Sequence, residues 1–141
     1  MEEVKSSDIR RVAMDLLARR EHSKRELKQK LALRFSNRNL IDQEIERLCE
    51  EHLQSDARYA EAYLYSRAQR LYGPSRIKAE MRERGISDEI IAAAFLNAGI
   101  DWQANLRKLE VNKFGHKPPA DLREKAKRVR FFQYRGFGNI P

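Results

Sequence analysis

Few side chains in this sequence have a type and spacing that could do chemistry together. His22, His52 and His116 stand in hydrophilic, loop-proximal stretches. Their spacing would not hold a metal ion, so exposed or capping roles are expected. Cys49 falls on the apolar side of a predicted helix and is expected to be a small core residue, not a reactive thiol. Glu44, Glu46, Glu50 and Glu51 lie among Arg and Lys at helical spacing, where solvated i,i+4 pairing is their ordinary role. No glycine-rich phosphate loop occurs, and no nucleophile stands in pattern with a base. The chain is therefore expected not to be an enzyme and to need no cofactor or metal.

The cations are better organised. Between Gln103 and Arg135 ten Lys/Arg face three acids. Arg123, Lys127 and Arg130 fall at i, i+4 and i+7, which makes one stripe on a helix. The middle of the chain adds Arg67, Arg70, Arg76, Lys78, Arg82 and Arg84, and the first part adds Lys24, Arg25, Lys28 and Lys30. Such stripes attract polyanions, either DNA phosphates or an acidic protein surface. The expected contact residues are Arg25, Arg67, Arg76, Lys78, Arg82, Arg84, Lys127, Arg130 and Arg135. Reversing Arg76, Lys78 and Arg82 together to Glu is expected to weaken binding without unfolding the chain. Tyr59, Tyr63, Tyr65, Tyr72, Phe131 and Tyr134 interleave with the charge, but at helical spacing most are expected to pack and not to stack on bases.

Helices must position these stripes. Ile9, Val12, Ala13, Leu16 and Leu17 form the stripe of a helix burying one face. Ser23 with Glu26 is a capping box that opens a second helix, whose apolar edge is Leu27 and Leu31. After the polar turn 36–39, Leu40, Ile41, Ile45, Leu48 and Cys49 mark a third. The pattern restarts at Ser55-Asp56 with Ala60, Tyr63, Leu64 and Leu71, and stops near Tyr72-Gly73-Pro74. Ile77 and Met81 repeat the thin edge, Gly85 suits a left-handed helix end, and Ser87 opens a stripe of Ile90, Ile91, Ala94, Phe95 and Ala98. A third round begins at Asp101-Trp102 with Leu106 and Leu109. Its second helix is expected from about 121 to 134, with Leu122, Ala126, Val129 and Phe132 or Gln133 on one line. No closing helix is expected after it.

The repetition is visible residue by residue. Leu27, Ile77 and Arg128 align, as do Leu31, Met81 and Phe132, and then Arg34, Arg84 and Arg135, at steps of 50 and 51 residues. Phe35 stands where Gly85 and Gly136 stand, which predicts a different turn there. The expected fold is all-α: tandem three-helix repeats, two complete and a third lacking its last helix, in an elongated curved array. The expected units are 1–53, 54–100 and 101–141.

Of the 141 residues 41% are hydrophobic and 35% charged, with net charge +8 and a pI near 9.8. That balance fits a folded protein with a charged surface. No stretch approaches the roughly 20 apolar residues that cross a bilayer, and the start, MEEVKSSDIR, has no hydrophobic signal core. With a lone cysteine, which cannot close an internal disulfide, this predicts a cytoplasmic monomer that makes no membrane contact.

These residues resemble the RecX family, regulatory proteins that bind the filament of the RecA recombinase. The resemblance covers nearly the whole chain. It is carried by the run from Leu17 to Leu31, by Asp56-Ala-Arg-Tyr59-Ala60, Arg67 and the run from Tyr72 to Ile86, and by Trp102, Lys113-Phe114-Gly115 and the run from Arg130 to Phe137. His52 stands where the family often has Gly, Phe35 replaces a turn Gly, and the family's third repeat normally ends in another helix. The resemblance implies a non-enzymatic modulator, mainly an inhibitor, that lies in the groove of the RecA–DNA filament and restrains ATPase, strand exchange and coprotease activity. The alternative reading is a basic helical protein that binds single-stranded or duplex DNA directly.

Overall fold

The computed structural model describes residues 4–138. Eight α-helices and no strand occur among them: α1 (Ser6–Arg19), α2 (Lys24–Ala32), α3 (Arg38–Glu50), α4 (Asp56–Gln69), α5 (Pro74–Glu83), α6 (Asp88–Ala98), α7 (Trp102–Phe114) and α8 (Leu122–Arg135). The fold is all-helical, as the periodicity predicts.

Local chemistry starts each helix. The Ser23 hydroxyl accepts from the Glu26 N–H at 3.1 Å while the Glu26 carboxylate accepts from the Ser23 N–H at 3.2 Å, completing the capping box. Asn37, Ser55, Ser87, Asp101 and Asp121 cap α3, α4, α6, α7 and α8 through a side-chain oxygen. Pro74 occupies the first turn of α5, where its missing N–H is harmless.

Two separate apolar clusters follow. One joins Ile9, Val12 and Ala13 of α1 to Leu27 and Leu31 of α2 and to Ile41, Ile45 and Leu48 of α3. The other joins Tyr59, Ala60 and Leu64 of α4 to Ile77 and Met81 of α5, Ile86, and Ile91 and Ala94 of α6. Trp102 stacks on Phe95 at 5.7 Å and thereby attaches α7 to the second cluster.

Four expectations need correction. Glu44 is not a solvated surface acid: it is 2% accessible and is held by Arg10 at 3.0 Å and Arg47 at 3.5 Å. Cys49 is half-buried and stands outside the first core cluster. His22 is not exposed: it is 1% accessible. On α8, Leu122, Ala126 and Val129 share a line, but that line faces outward, with Leu122 84% and Val129 43% accessible. The buried position of α8 is Arg128, the residue that aligns with Leu27 and Ile77. Arg128 replaces an aliphatic core residue because it brings its own partners: Glu124 at 2.7 Å, Glu110 at 3.4 Å, and the Phe114 ring at 4.8 Å from its guanidinium carbon.

The turn at Phe35 differs from its counterparts, as its side chain predicts. The Phe35 N–H simply continues the helical pattern to the Leu31 carbonyl, whereas Ile86 and Phe137 reach back five residues to Met81 and Phe132 across a left-handed glycine.

The buried His22 has a defined tautomer. Its Nε2 lies 2.9 Å from the Lys30 ammonium and its Nδ1 3.0 Å from the Arg20 carbonyl. An ammonium only donates and a carbonyl only accepts, so Nε2 is the acceptor and Nδ1 carries the proton. Burial, with lesser help from the Arg20 and Lys30 charges, pushes the His22 pKa below its ordinary value and outweighs the Arg20 carbonyl bond, which raises it. A group whose pKa falls on folding binds protons more readily when unfolded. Its contribution to stability is therefore complete above about pH 6.5 and is lost as pH falls through the lower folded value. Thermal unfolding followed between pH 7.5 and 5 is expected to show Tm falling across that window. His22→Gln, which keeps an acceptor and a donor, should flatten the slope. An unchanged slope in the variant would locate the titration elsewhere.

Candidate functional site

The two core clusters are linked by polar contacts, and the same joint is used twice. At the first, the C-terminal end of α5 meets the N-terminal end of α2. The Ser23 hydroxyl donates to the Arg84 carbonyl at 2.8 Å and the Arg25 guanidinium to the Glu83 carbonyl at 3.2 Å. The Arg25 Cβ approaches Gly85 so closely that a Cβ there would lie 2.8 Å from it. At the second, the C-terminal end of α8 meets the N-terminal end of α5. The Ser75 hydroxyl donates to the Gly136 carbonyl at 2.7 Å and Arg76 to the Tyr134 carbonyl at 3.2 Å, with the Arg76 Cβ packed against Gly136. Both glycines hold positive φ, +82° at Gly85 and +104° at Gly136. In each joint, donors at a helix start meet the free carbonyls of a helix end, the arrangement that aligned dipoles favour.

A cluster of guanidinium groups and rings braces the second joint. Arg67 and Arg135 lie 3.7 and 3.9 Å from the Tyr72 ring centroid, and Arg76 lies 4.7 Å from it. Glu80 is the carboxylate at its centre. It accepts two bonds from Arg67, at 3.0 and 2.8 Å, and one from the Tyr63 hydroxyl at 3.0 Å, with Arg76 at 3.5 Å. Partial burial pushes the Glu80 carboxyl up, but the Arg67 and Tyr63 bonds and the neighbouring guanidinium charges outweigh it and hold it below the usual range. The Tyr63 hydroxyl is pushed up, first by burial and then by its bond to Glu80. Arg84 donates to the Glu80 carbonyl and lies over Tyr63, and Arg135 donates to the carbonyls of Arg70 and Leu71.

The nine residues singled out by charge thus divide. Arg25, Arg67, Arg76, Arg84 and Arg135 stand at the joints, each making one or two hydrogen bonds to a carbonyl or to Glu80. Lys78 lies over the Phe95 ring at 4.9 Å, and Arg82 pairs with Asp88 at 2.9 Å on an exposed face. Lys127 and Arg130 are exposed and have no carboxylate partner among the described residues. The same holds for Arg107, Lys108, Lys113, Lys117, Arg123 and Lys125, so the uncompensated positive charge of the molecule gathers on α7, α8 and the loop between them. Reversal of Arg76 with Lys78 and Arg82 does not test a contact alone, because Arg76 is a joint residue and its loss perturbs the packing of α5 on α8.

Sequence reasoning passed over Glu80 and Gln54. Glu80 stands one turn from both Arg76 and Arg84, a spacing that could have marked it. Gln54 is buried and ties the start of α4 to α2 by donating to the His22 carbonyl and to Asp56. Nothing local announces that role. Among the described residues no group of three or more metal-ligating side chains converges, and no helix is long and apolar enough to cross a membrane.

Residues 55–94, the stretch that carries α4, α5 and most of α6, match the second three-helix domain of RecX. A protein of Pseudomonas fluorescens (strain Pf-5) named Regulatory protein RecX is 46% identical over 129 residues, covering 92% of this chain and 83% of that protein. The chain belongs to the RecX family. A second relative of that name, from Pseudomonas savastanoi pv. phaseolicola, has the same identity and coverage. Among solved structures, one titled as regulatory protein RecX superposes with a TM-score of 0.81 at 20% identity, over 95% of this chain and 69% of that one. RecX from Lactobacillus salivarius superposes with a TM-score of 0.74 at 22% identity, over 95% and 89%. Those two establish the fold. RecX-family proteins are regulators, and the joint residues Arg67, Tyr72, Arg76, Gly85, Arg135 and Gly136 all lie in the stretches through which this chain resembles the family.

Proposed function

We propose that this chain is a non-enzymatic modulator, mainly an inhibitor, of the RecA recombinase. It acts as a cytoplasmic monomer that lies along the groove of the RecA–DNA filament and restrains ATP hydrolysis, strand exchange and coprotease activity. The observation that carries this reading is the 46% identity, over 92% of the chain, to regulatory RecX proteins. The physical arrangement supports it. Three successive units, 1–53, 54–100 and 101–141, offer cationic flanks in series, and many weak contacts along a periodic partner sum to high avidity without a deep pocket. In this reading Lys78, Arg82, Lys127 and Arg130 touch DNA phosphates or acidic filament surface. Arg25, Arg67, Arg76, Arg84 and Arg135 set the pitch from one unit to the next.

Titrating the chain into RecA with single-stranded DNA and ATP is expected to suppress hydrolysis at substoichiometric to near-stoichiometric amounts. Unchanged hydrolysis across a wide titration would overturn the proposal. The uncompensated cations of α7 and α8 favour one second reading, direct binding of single-stranded or duplex DNA. Loss of binding to bare DNA at about 150 mM salt, with filament binding retained, would reject that alternative.

A further inference from the structure

The two joints are built alike but close differently. At the second, Arg135 crosses from the end of α8 and donates to the carbonyls of Arg70 and Leu71, at 2.6 and 3.3 Å. The corresponding residue at the first joint is Arg84, and the corresponding carbonyls are those of Arg20 and Glu21. Arg84 does not cross. Its guanidinium turns back to the Glu80 carbonyl of its own helix at 3.0 Å, while the Glu21 carbonyl accepts from Arg20 at 2.8 Å. A cleft of about 390 Å³ is left between the first and second units, at the small end of the range for ligand clefts. Tyr59, Ala62, Tyr63 and Ser66 of α4 line it, with Arg84 on one side and the Arg20–Glu26 pair on the other.

The carboxylates of the cleft are spent. Glu26 receives Arg20 through both oxygens, at 3.1 and 3.3 Å, and Glu21 pairs with Arg58 at 3.0 Å. Arg84 is half-buried over the Tyr63 ring and has no carboxylate partner among the described residues. Beside it Tyr59 is only 4% accessible, its ring stacked on Tyr63 at 5.7 Å, yet its hydroxyl makes no hydrogen bond among the described residues. A buried hydroxyl ordinarily has a partner. The charges that act on this one are those of Glu26, Arg84 and Arg20, the residues that wall the cleft. Burial pushes the Tyr59 pKa up, so the hydroxyl keeps its proton and is a donor.

From this geometry we infer that the cleft is a seat for one carboxylate side chain of a partner protein, a Glu or Asp held between the Arg84 guanidinium and the Tyr59 hydroxyl. An unpaired cation and an unpartnered donor converge there, the pair that makes charge-assisted bonds to a carboxylate. Ala62 and the tyrosine rings offer apolar contact to its methylene stem. A nucleic-acid strand fits less well, because phosphates next to the seated one would run past the Glu21 carboxylate. The seat lies wholly within the first two units and does not depend on RecA being the regulated partner.

The probe is the acetylated tripeptide amide Ac-Ala-Glu-Ala-NH2, titrated into the isotopically labelled full chain and followed by NMR, with Ac-Ala-Gln-Ala-NH2 as its uncharged match. Saturable shifts with a Kd of about 1–10 mM are expected at Tyr59, Ala62, Tyr63, Ser66 and Arg84, and none with the glutamine peptide. Tyr59→Phe keeps the ring and gives up no protein hydrogen bond. Its Tm should hold or rise while affinity falls about tenfold, the worth of one hydrogen bond to a charged group. Arg84→Gln keeps the backbone carbonyl that Ser23 uses, so helical content should persist while saturation is lost. The absence of saturable shifts, shifts centred elsewhere, equal binding of the glutamine peptide, or full affinity in Tyr59→Phe would each overturn the seat. Inorganic phosphate is the last arm. Phosphate that binds the same residues more tightly than the glutamate peptide would assign the cleft to a phosphate group and overturn the carboxylate.

Discussion

Replacing Gly73 by alanine is expected to detach α8 from α5 while leaving the first six helices folded. Gly73 has φ −90°, which any residue adopts, so the substitution carries no intrinsic backbone strain. The cost is steric. A Cβ at Gly73 would lie 2.3 Å from the carbonyl carbon of Gly136 and 2.4 Å from its oxygen, backbone atoms that cannot swing aside as a side-chain end can. Relieving that overlap requires the two helix ends to separate. Separation stretches the Gly73 N–H bond to the Arg135 carbonyl at 2.7 Å and the Ser75 N–H and hydroxyl bonds to Gly136 at 3.2 and 2.7 Å. Overpacking of about 1–3 kcal/mol, with the three hydrogen bonds stretched and not lost so that each forfeits only part of its roughly 1 kcal/mol, gives a local destabilisation on the order of 3 kcal/mol. Hydrogen exchange is the suitable measurement. Amides of α8 should lose protection by roughly two orders of magnitude, with those of α1–α3 unchanged, because the first core cluster shares no residue with this joint. Uniform loss of protection over the whole chain would mean that the units do not fold separately. Unchanged protection in α8 would mean that the close approach is not what holds it.

The joints explain where the sequence was readable and where it was not. Helix starts were legible because a capping serine or aspartate acts within three or four residues of itself, as Ser23 does with Glu26. The equivalence of Leu27, Ile77 and Arg128 was legible as well, but a cation at an aliphatic position did not mark itself as buried, and Arg128 was counted with the surface charge. Periodicity then misled at α8. A 3.6-residue repeat says that Leu122, Ala126 and Val129 share a face, but whether that face is covered depends on a partner helix elsewhere in the chain. His22 is hidden by contacts from residues eight and thirty-two positions away, Lys30 and Gln54, which no local pattern encodes. The structural engagement of the arginines was hidden for a related reason. Arg25, Arg76 and Arg135 donate to backbone carbonyls about sixty residues distant, and a carbonyl acceptor has no letter in the sequence. Charge counting finds a cation equally well whether it faces solvent or closes a joint.

That distinction decides which charges a functional test should remove. Arg123, Lys127 and Arg130 are exposed, lie one turn apart on α8, and have no carboxylate partner among the described residues, so converting all three to Glu leaves the joints and the Arg128 pairs intact. The fold should persist, with helical content unchanged and Tm within a few degrees of the parent. Binding should not. If the proposed RecA–DNA filament is the partner, each residue facing a phosphate adds about 0.9 to the slope of log affinity against log salt, and three reversed charges repel what they formerly attracted. The apparent affinity for the filament is expected to fall on the order of a hundredfold near 150 mM salt, the salt slope to flatten by about 3, and suppression of RecA ATPase to require correspondingly more protein. Arg19→Glu, Arg34→Glu and Arg38→Glu on the first unit, all exposed, form the control, since they make the same change in net charge far from α8. A control as damaging as the α8 variant would show that overall field, and not this stripe, drives association. An α8 variant that inhibits as the parent does would place the contact on the Lys78–Arg82 face instead.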